Sequence, residues 1–251
     1  MSNKQPHIVA ENVTLAYGTN IIQRGLNFTV KRGDVFIIMG GSGCGKSTVM
    51  RGLVGLLRPT EGEIYYEEQP FWNVPPREHE RMKRRFGVMY QKGALWSSMT
   101  SAENVALPLE EYTDLSDRQI RKIASFKLAL VGLAGFEDYY PYEISGGMQK
   151  RLAVARAMSL DPEILFFDEP SAGLDPLSSR RLDELIMELN QKLGTTMVIV
   201  THELTSIFEV GNNSVFLDAA TRTQITTGDP KVLRDQAEDP RVREFLTRGK
   251  L

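Results

Sequence analysis

The sequence predicts an α/β fold with a mostly parallel sheet, an antiparallel β portion near the N-terminus and an inserted α-helical lobe. Three observations predict it. The first is a set of continuous apolar runs, "DVFIIMG" at 34–40, "EILFFDEP" at 163–170 and "TTMVIVTHE" at 195–203. Such runs suit strands covered on both faces. The second is that helical patterns alternate with them, as in the amphipathic "PLSSRRLDELIMELNQKL" at 176–193; this alternation builds a parallel sheet. The third is that "IVAENVTLAYG" at 8–18 and "GLNFTVKRG" at 25–33 alternate apolar and polar residues, as half-buried antiparallel strands do.

In chain order, the two alternating strands lead into the buried strand at 34–40. A Gly-rich turn follows, and "STVMRGLVGLL" at 47–57 reads as a helix. "EGEIYYEE" at 61–68 reads as a further edge strand of a hairpin. From about 92 to 160 the pattern becomes helical with scattered Gly and Pro, which marks the inserted lobe; 1–91 and 161–251 form the core with its antiparallel portion. The tail alternates short strands, "SVFLDA" and "TQITTG", with charged helices. There is no repeat of fixed period and no low-complexity segment.

Composition narrows the function classes. The 251 residues are 41% hydrophobic and 25% charged, enough for a sizeable core in one large domain with a sub-lobe. A formal net charge of −2 gives no global basic field, so nucleic acid is not an expected partner. The local run "RMKRR" at 81–85 reads as a solvated helix face. No apolar run reaches the ~18 residues that span a bilayer, and "MSNKQPHIVAEN" has no signal-peptide core. A membrane role is therefore expected to come through a partner. The single cysteine, Cys44, can form no internal disulfide, which suits a reducing cytoplasm.

The strongest motif is "GGSGCGKST" at 40–48, between the buried strand and a helix. It fits G-x-x-x-x-G-K-[ST] with Gly40, the four residues Gly41, Ser42, Gly43 and Cys44, then Gly45, Lys46 and Ser47, followed by Thr48. Glycines allow successive N–H groups to turn inward around a phosphate, and the helix N-terminus adds partial positive charge. Lys46 is expected to reach the β- and γ-phosphates and Ser47 to ligate Mg²⁺. Cys44 has two readings, a small side chain that fits the loop or a thiol made acidic and reactive by the helix terminus.

A phosphate cradle needs a second metal carboxylate at the end of a neighbouring strand. "ILFFDEP" supplies Asp168 for Mg²⁺, and Glu169 next to it could orient an attacking water. His202 in "VIVTHE" ends the next buried strand, at the edge where ligands of open α/β sheets bind. Gln91 in "GVMYQKG" ends a short apolar run and could contact Mg²⁺ or water. Tyr17 in "LAYG" could stack on a base or serve as a core aromatic.

These motifs, taken in order, resemble the nucleotide-binding subunit of an ATP-binding cassette transporter. The set is Tyr17, the loop at 40–47, Gln91, the signature "ISGGMQ" from 144, the strand ending in Asp168 and Glu169, "SAGLD" at 171–175, and His202. The resemblance implies a P-loop NTPase core and two copies packed head-to-tail around two ATP molecules. Ser145, Gly146 and Gly147 of one copy would face the γ-phosphate held by the other, with Asp175 across the same interface. Lys46 and the loop amides would neutralise phosphate charge, Ser47, Asp168 and Gln91 would organise Mg²⁺, Glu169 would act as base, and His202 would hold the γ-phosphate. Opening and closing of the pair would pass motion to membrane subunits.

A narrower resemblance rests on "GALW", "ENVALPL", "ISGGM" and "DPRVREFL". These resemble the ATPases of the Mla/Mce transporters, which move phospholipids or other hydrophobic molecules between bacterial membranes. It implies a homodimer, two permease subunits, a periplasmic Mce-domain lipid-binding protein and a place on the cytoplasmic face of the inner membrane. Gly41 stands where the wider family often has Pro, and Met148 where it usually has Gln. Some members carry a longer C-terminal extension reaching the neighbouring ATPase; here the sequence ends at Leu251, and the tail is expected as a simple packing helix. Two alternatives stand beside this reading. One is an importer of a polar solute such as an amino acid. The other is a soluble, non-transport cassette ATPase, a class that typically carries two cassettes or a long coiled coil; this sequence has one cassette and no sustained heptads.

Overall fold

Strand patterning separates the chain into two sheets. The computed structural model describes residues 5–91 and 93–248. The first strands are β1 (Pro6–Tyr17), β2 (Asn20–Lys31) and β3 (Val35–Gly40), followed by α1 (Lys46–Leu53), β4 (Glu61–Tyr66), β5 (Gln69–Pro70), α2 (Pro76–Lys83) and β6 (Phe86–Met89). Helices α3 (Ser101–Tyr112), α4 (Asp117–Leu130) and α5 (Gly146–Ala157) come next. The chain continues with β7 (Ile164–Asp168), α6 (Pro176–Leu193), β8 (Thr196–Val200), α7 (Leu204–Val210), β9 (Asn213–Asp218), β10 (Thr223–Thr227), α8 (Pro230–Gln236) and α9 (Pro240–Thr247).

One sheet is antiparallel, in the order β2-β1-β4-β5; the other runs β10-β9-β3-β8-β7-β6. In the second sheet β9, β3, β8, β7 and β6 are parallel and only β10 is antiparallel. The expected mostly parallel sheet is present. Alternation along its strands divides the interior in two. Val35, Ile37 and Met39 of β3 face a core shared with α3 to α6, whereas Phe36 and Ile38 face one shared with β1, β2, β4 and α1. Phe28 of β2 stacks on Phe36 of β3 with ring centroids 5.4 Å apart, which ties the two sheets together. Phe167, fully buried on β7 between β8 and the edge strand β6, is a position where truncation to Ala costs about 3–5 kcal/mol.

Three expectations about boundaries are corrected. β2 begins at Asn20, not Gly25, because the turn after Tyr17 closes the hairpin at once and Tyr17 pairs with Asn20. The alternation breaks at Gly25 because the register shifts around Asn12, where the Asn12 amide donates to Asn27 Oδ1, and the strand itself continues. α1 ends at Leu53, well before Leu57, since the Arg51 carbonyl takes the amides of Leu56 and Leu57 and turns the chain. "EGEIYYEE" contains an inner strand: β4 lies between β1 and the two-residue β5, which takes the edge. The basic run at 81–85 is a solvated face only in part. Arg81 and Arg84 are exposed, Met82 is buried, and Arg85 pairs with both Glu67 and Glu163.

Between β6 and β7 the chain is helical, as expected. α3 packs on α4 and α5, and all three bury apolar faces in the helix-side core. α3 opens with a capping box in which Thr100 accepts from the Glu103 amide and Glu103 accepts from the Thr100 amide.

Candidate active site

The C-terminal ends of β3, β6, β7 and β8 converge on one edge of the parallel sheet, the edge at which open α/β sheets present ligand sites. β3 runs directly into the loop at 40–45. Gly40 has φ 147, and a Cβ there would lie 2.3 Å from the Leu217 carbonyl oxygen, so no larger residue fits. Gly45 has φ 95 and caps α1; its Cβ would lie 2.7 Å from Ile22 Cγ2. Lys46 begins α1 and is only 8% exposed. Its ammonium donates to the carbonyls of Gly40 and Gly41, at 3.0 Å each, so the cation lies folded against the loop.

Cys44 is 2% exposed, and burial pushes its thiol up from the ordinary value. Its carbonyl accepts from Gln23 Nε2 at 2.6 Å. The reading of an acidified, reactive thiol is therefore overturned: desolvation outweighs the attraction of Lys46 for the thiolate. Cys44 is the small residue that fits.

β7 ends at Asp168, whose Oδ1 accepts from the Ser47 hydroxyl at 3.0 Å. Glu169 follows in the left-handed region, φ 48, a conformation that costs a non-glycine residue about 1–3 kcal/mol. Its amide donates to the Val200 carbonyl at 2.8 Å, which fixes the turn against β8. The side chain is turned inward, 7% exposed, and Oε1 meets His202 Nδ1 at 2.8 Å. Glu169 Oε2 is buried and has no hydrogen-bond partner among the described residues. The His202 side chain is more than half exposed, and its Nε2 lies 3.8 Å from Glu203 Oε1.

A cavity of about 620 Å³ joins these groups. Its wall holds Gly40, Gly41, Ser42, Gly43, Gly45, Lys46, Ser47 and Thr48 together with Gln91, Glu169 and His202. Tyr17 is not on that wall. It ends β1, is 45% exposed and accepts at its hydroxyl from Arg51 at 2.8 Å, so it is not a core aromatic. The signature residues lie elsewhere: Ser145 caps α5, with Oγ accepting from the Met148 amide at 3.3 Å. Asp175 caps α6 by accepting from the amides of Leu177 and Ser178, both at 3.0 Å. The Ser178 hydroxyl and these amides hold the Asp175 carboxyl below the usual range. The two caps are neighbours, since a Cβ on Gly147 would come within 3.3 Å of Ser178 Oγ.

Several residues at the site carried no signal in the sequence. Ile22 and Phe245 complete the cavity wall, and Gln23 supports the loop at Cys44. Lys150, one turn into α5, donates to the backbone carbonyl of Gln91. Lys150 lies immediately after "ISGGMQ" and Phe245 within "DPRVREFL", both segments that the sequence singled out, but neither was marked as a site residue.

A phosphate loop bonded to a strand-end aspartate, with the glutamate next to that aspartate paired to a histidine after the neighbouring strand, defines a P-loop ATPase. Residues 23–172 match the family described as ABC transporter. The chain belongs to that family; it binds ATP and hydrolyses it. It is 37% identical over 239 residues to the intermembrane phospholipid transport system ATP-binding protein MlaF of Haemophilus influenzae, covering 95% of this chain and 89% of that protein. It is 38% identical over 239 residues to the probable ribonucleotide transport ATP-binding protein mkl of Mycobacterium tuberculosis H37Rv, of which it spans 66%. Among solved structures, a dimeric ATP-binding cassette, MJ0796, bound to ADP and Pi matches with TM-score 0.79 and 30% identity, over 88% of this chain and 98% of that one. The cbiO1 subunit of Clostridium perfringens, part of an ABC transporter complex, matches with TM-score 0.84 and 27% identity over 93% of both chains. No helix among the described residues is long and apolar enough to cross a membrane.

Proposed function

We propose that this chain is the ATPase that powers phospholipid, or related hydrophobic-molecule, transport between bacterial membranes. The observation that carries the reading is 37% identity across 89% of the Haemophilus influenzae phospholipid transport ATPase. "ENVALPL" and "DPRVREFL" in this sequence support it. The chain acts as a homodimer on the cytoplasmic face of the inner membrane, held there by two permease subunits and coupled to a periplasmic Mce-domain protein. Residues 1–91 and 161–251 form the catalytic core and 92–160 the helical lobe that meets the permease.

The site residues take the following roles. Lys46 leaves the carbonyls of Gly40 and Gly41 for the β- and γ-phosphates, while amides from Gly41 to Thr48 close on the phosphate chain. Ser47 and Asp168, already hydrogen-bonded to each other, and Gln91, on the cavity wall with Ser47, each offer an oxygen ligand. That donor set fits Mg²⁺, which when bound neutralises phosphate charge. Glu169 orients the attacking water and takes its proton; His202 holds Glu169 through Nδ1 and contacts the γ-phosphate. Tyr17 stacks on the adenine. Ser145, Gly146, Gly147 and Asp175 serve the site of the second copy, consistent with their absence from this chain's own cavity wall.

The test is reconstitution of the chain with its membrane partners between donor and acceptor vesicles carrying labelled phospholipid. ATP-dependent transfer that is lost with Glu169→Gln supports the proposal; ATP turnover without transfer opposes it. A second reading, import of a polar solute, is favoured by the ribonucleotide transport name of the mycobacterial relative. Uptake of labelled nucleotide by the same vesicles, with no lipid transfer, would favour that reading.

A further inference from the structure

The last helix, α9, lies outside the residues that match the family, 23–172, and its sequence suggests simple packing. Val242 and Leu246 do pack, both fully buried in the helix-side core. Phe245 has different surroundings. Its ring meets Phe216 edge-on at 5.3 Å, and it forms part of the wall of the nucleotide cavity with Gly41 and His202. A second groove, about 600 Å³, adjoins that cavity and shares the same three residues, Gly41, His202 and Phe245, as its border.

α9 is anchored where it can serve the loop. Asp239 caps its first turn by accepting from the Arg241 amide at 2.9 Å, and the Arg241 guanidinium pairs with Asp218 at 3.0 Å. Asp218 ends β9, whose Leu217 sits opposite Gly40 in the parallel sheet. The helix is thus tied to the strand beside the phosphate loop. Gly41 contributes no side chain, and a Cβ built on it would meet nothing within 4 Å. The loop is open at that point, and Phe245, with Ile22, supplies the large apolar side chains of the same wall.

We propose that Phe245 is a positioning residue for the nucleotide site: it closes the wall beside Gly41 and backs His202, holding the γ-phosphate end of the cavity in shape and keeping water from it. An apolar wall strengthens the pull of loop amides and Lys46 on phosphate charge by excluding solvent. ADP lacks the γ-phosphate that this end of the cavity would hold, so on this assignment its binding depends less on this side chain. The inference rests on the reading of 40–48 as the nucleotide loop.

The experiment measures ATP and ADP affinity and phosphate release for the full chain, with Phe245→Ala, Phe245→Leu, Gly41→Ala and the Phe245→Ala/Gly41→Ala pair. Phe245→Ala is expected to lower kcat/KM roughly tenfold and to weaken ATP more than ADP. Phe245→Leu should keep most of the rate, and Gly41→Ala should recover part of the Phe245→Ala loss, because a methyl group partly fills the same opening. The proposal is overturned if Phe245→Ala only lowers Tm, or weakens ATP and ADP equally, or if the two substitutions are simply additive. Lys46→Ala is the separate control: if nucleotide binding by the wild-type chain does not depend on Lys46, the reading of the loop fails first and the proposal falls with it.

Discussion

Glu169 and His202 meet across two neighbouring parallel strands, Oε1 to Nδ1 at 2.8 Å, with the second carboxylate oxygen buried and without a hydrogen-bond partner among the described residues. One oxygen is held and the other remains available, which is the arrangement a water-orienting base requires. Glu169→Gln should therefore lower phosphate release by about 10²–10⁴-fold while ATP binding persists and ATP-linked dimers accumulate. Gel filtration with ATP, run beside a phosphate-release assay, checks both halves. Ordinary turnover by the variant would remove Glu169 from its role.

His202→Ala removes the group that holds Oε1 and exposes Glu169 to alternative rotamers. The expected result is a fall in kcat larger than the loss of ATP affinity, since the γ-phosphate loses one contact while the loop and Lys46 are untouched. Turnover within twofold of wild type would show that the contact at 2.8 Å is dispensable.

Ser145→Arg tests the half-site. Ser145 is exposed and lies off the nucleotide cavity of its own chain. Nucleotide binding by the monomer should persist, ATP-dependent dimers should disappear, and turnover should fall with them. The lost cap costs about 1 kcal/mol, so a melting curve separates misfolding from blocked closure.

Cys44 should resist thiol reagents in the native chain, with and without ATP, and react fully once urea unfolds it. Burial accounts for both the inaccessibility and the raised thiol. Rapid native labelling, measured by mass spectrometry, would contradict the packing around the loop.

Two buried groups give opposite pH slopes to stability. The Thr196 hydroxyl accepts from the Gly33 amide at 2.8 Å and shares a hydrogen bond with His7 Nδ1 at 2.7 Å. Burial, with Arg32 nearby, pushes His7 down to about 4. Between its ordinary value and about 4 the unfolded chain binds the extra proton, so this contribution is present above pH ~6.5 and is lost as pH falls through 4. Asp183 runs the other way. Burial pushes it up to about 6 despite its bond to Ser206, so its contribution is present below pH ~3.9 and lost as pH rises through 6. Urea unfolding across this range should show His7→Gln flattening the first slope and Asp183→Asn the second.

The sequence was most legible where local pattern and long-range role coincide. α6 follows its amphipathic period and ends as read at 193 because Asp175 caps it at the start and the run of apolar positions stops at Leu193. The loop, Asp168, Glu169 and His202 were legible together because each ends a buried parallel strand, and a parallel sheet brings such ends to one edge. Ile22 and Phe245 were not, and for Tyr17 the motif was legible but its place off the cavity wall was not. Their positions depend on how the antiparallel sheet and the last helix dock, which no residue spacing records. α7, short and enclosed between β8 and β9, has too few residues to show a period.

Ser145 and Asp175 each direct a side-chain oxygen to the amides of their own helix. On the head-to-tail pairing proposed above, each surface that meets the twin chain therefore arrives already shaped. Pairing two such chains requires a search in position and orientation but no local folding step, so the speed of assembly should follow collision and charge, and little of the binding energy is consumed in arranging the loops that make the contact.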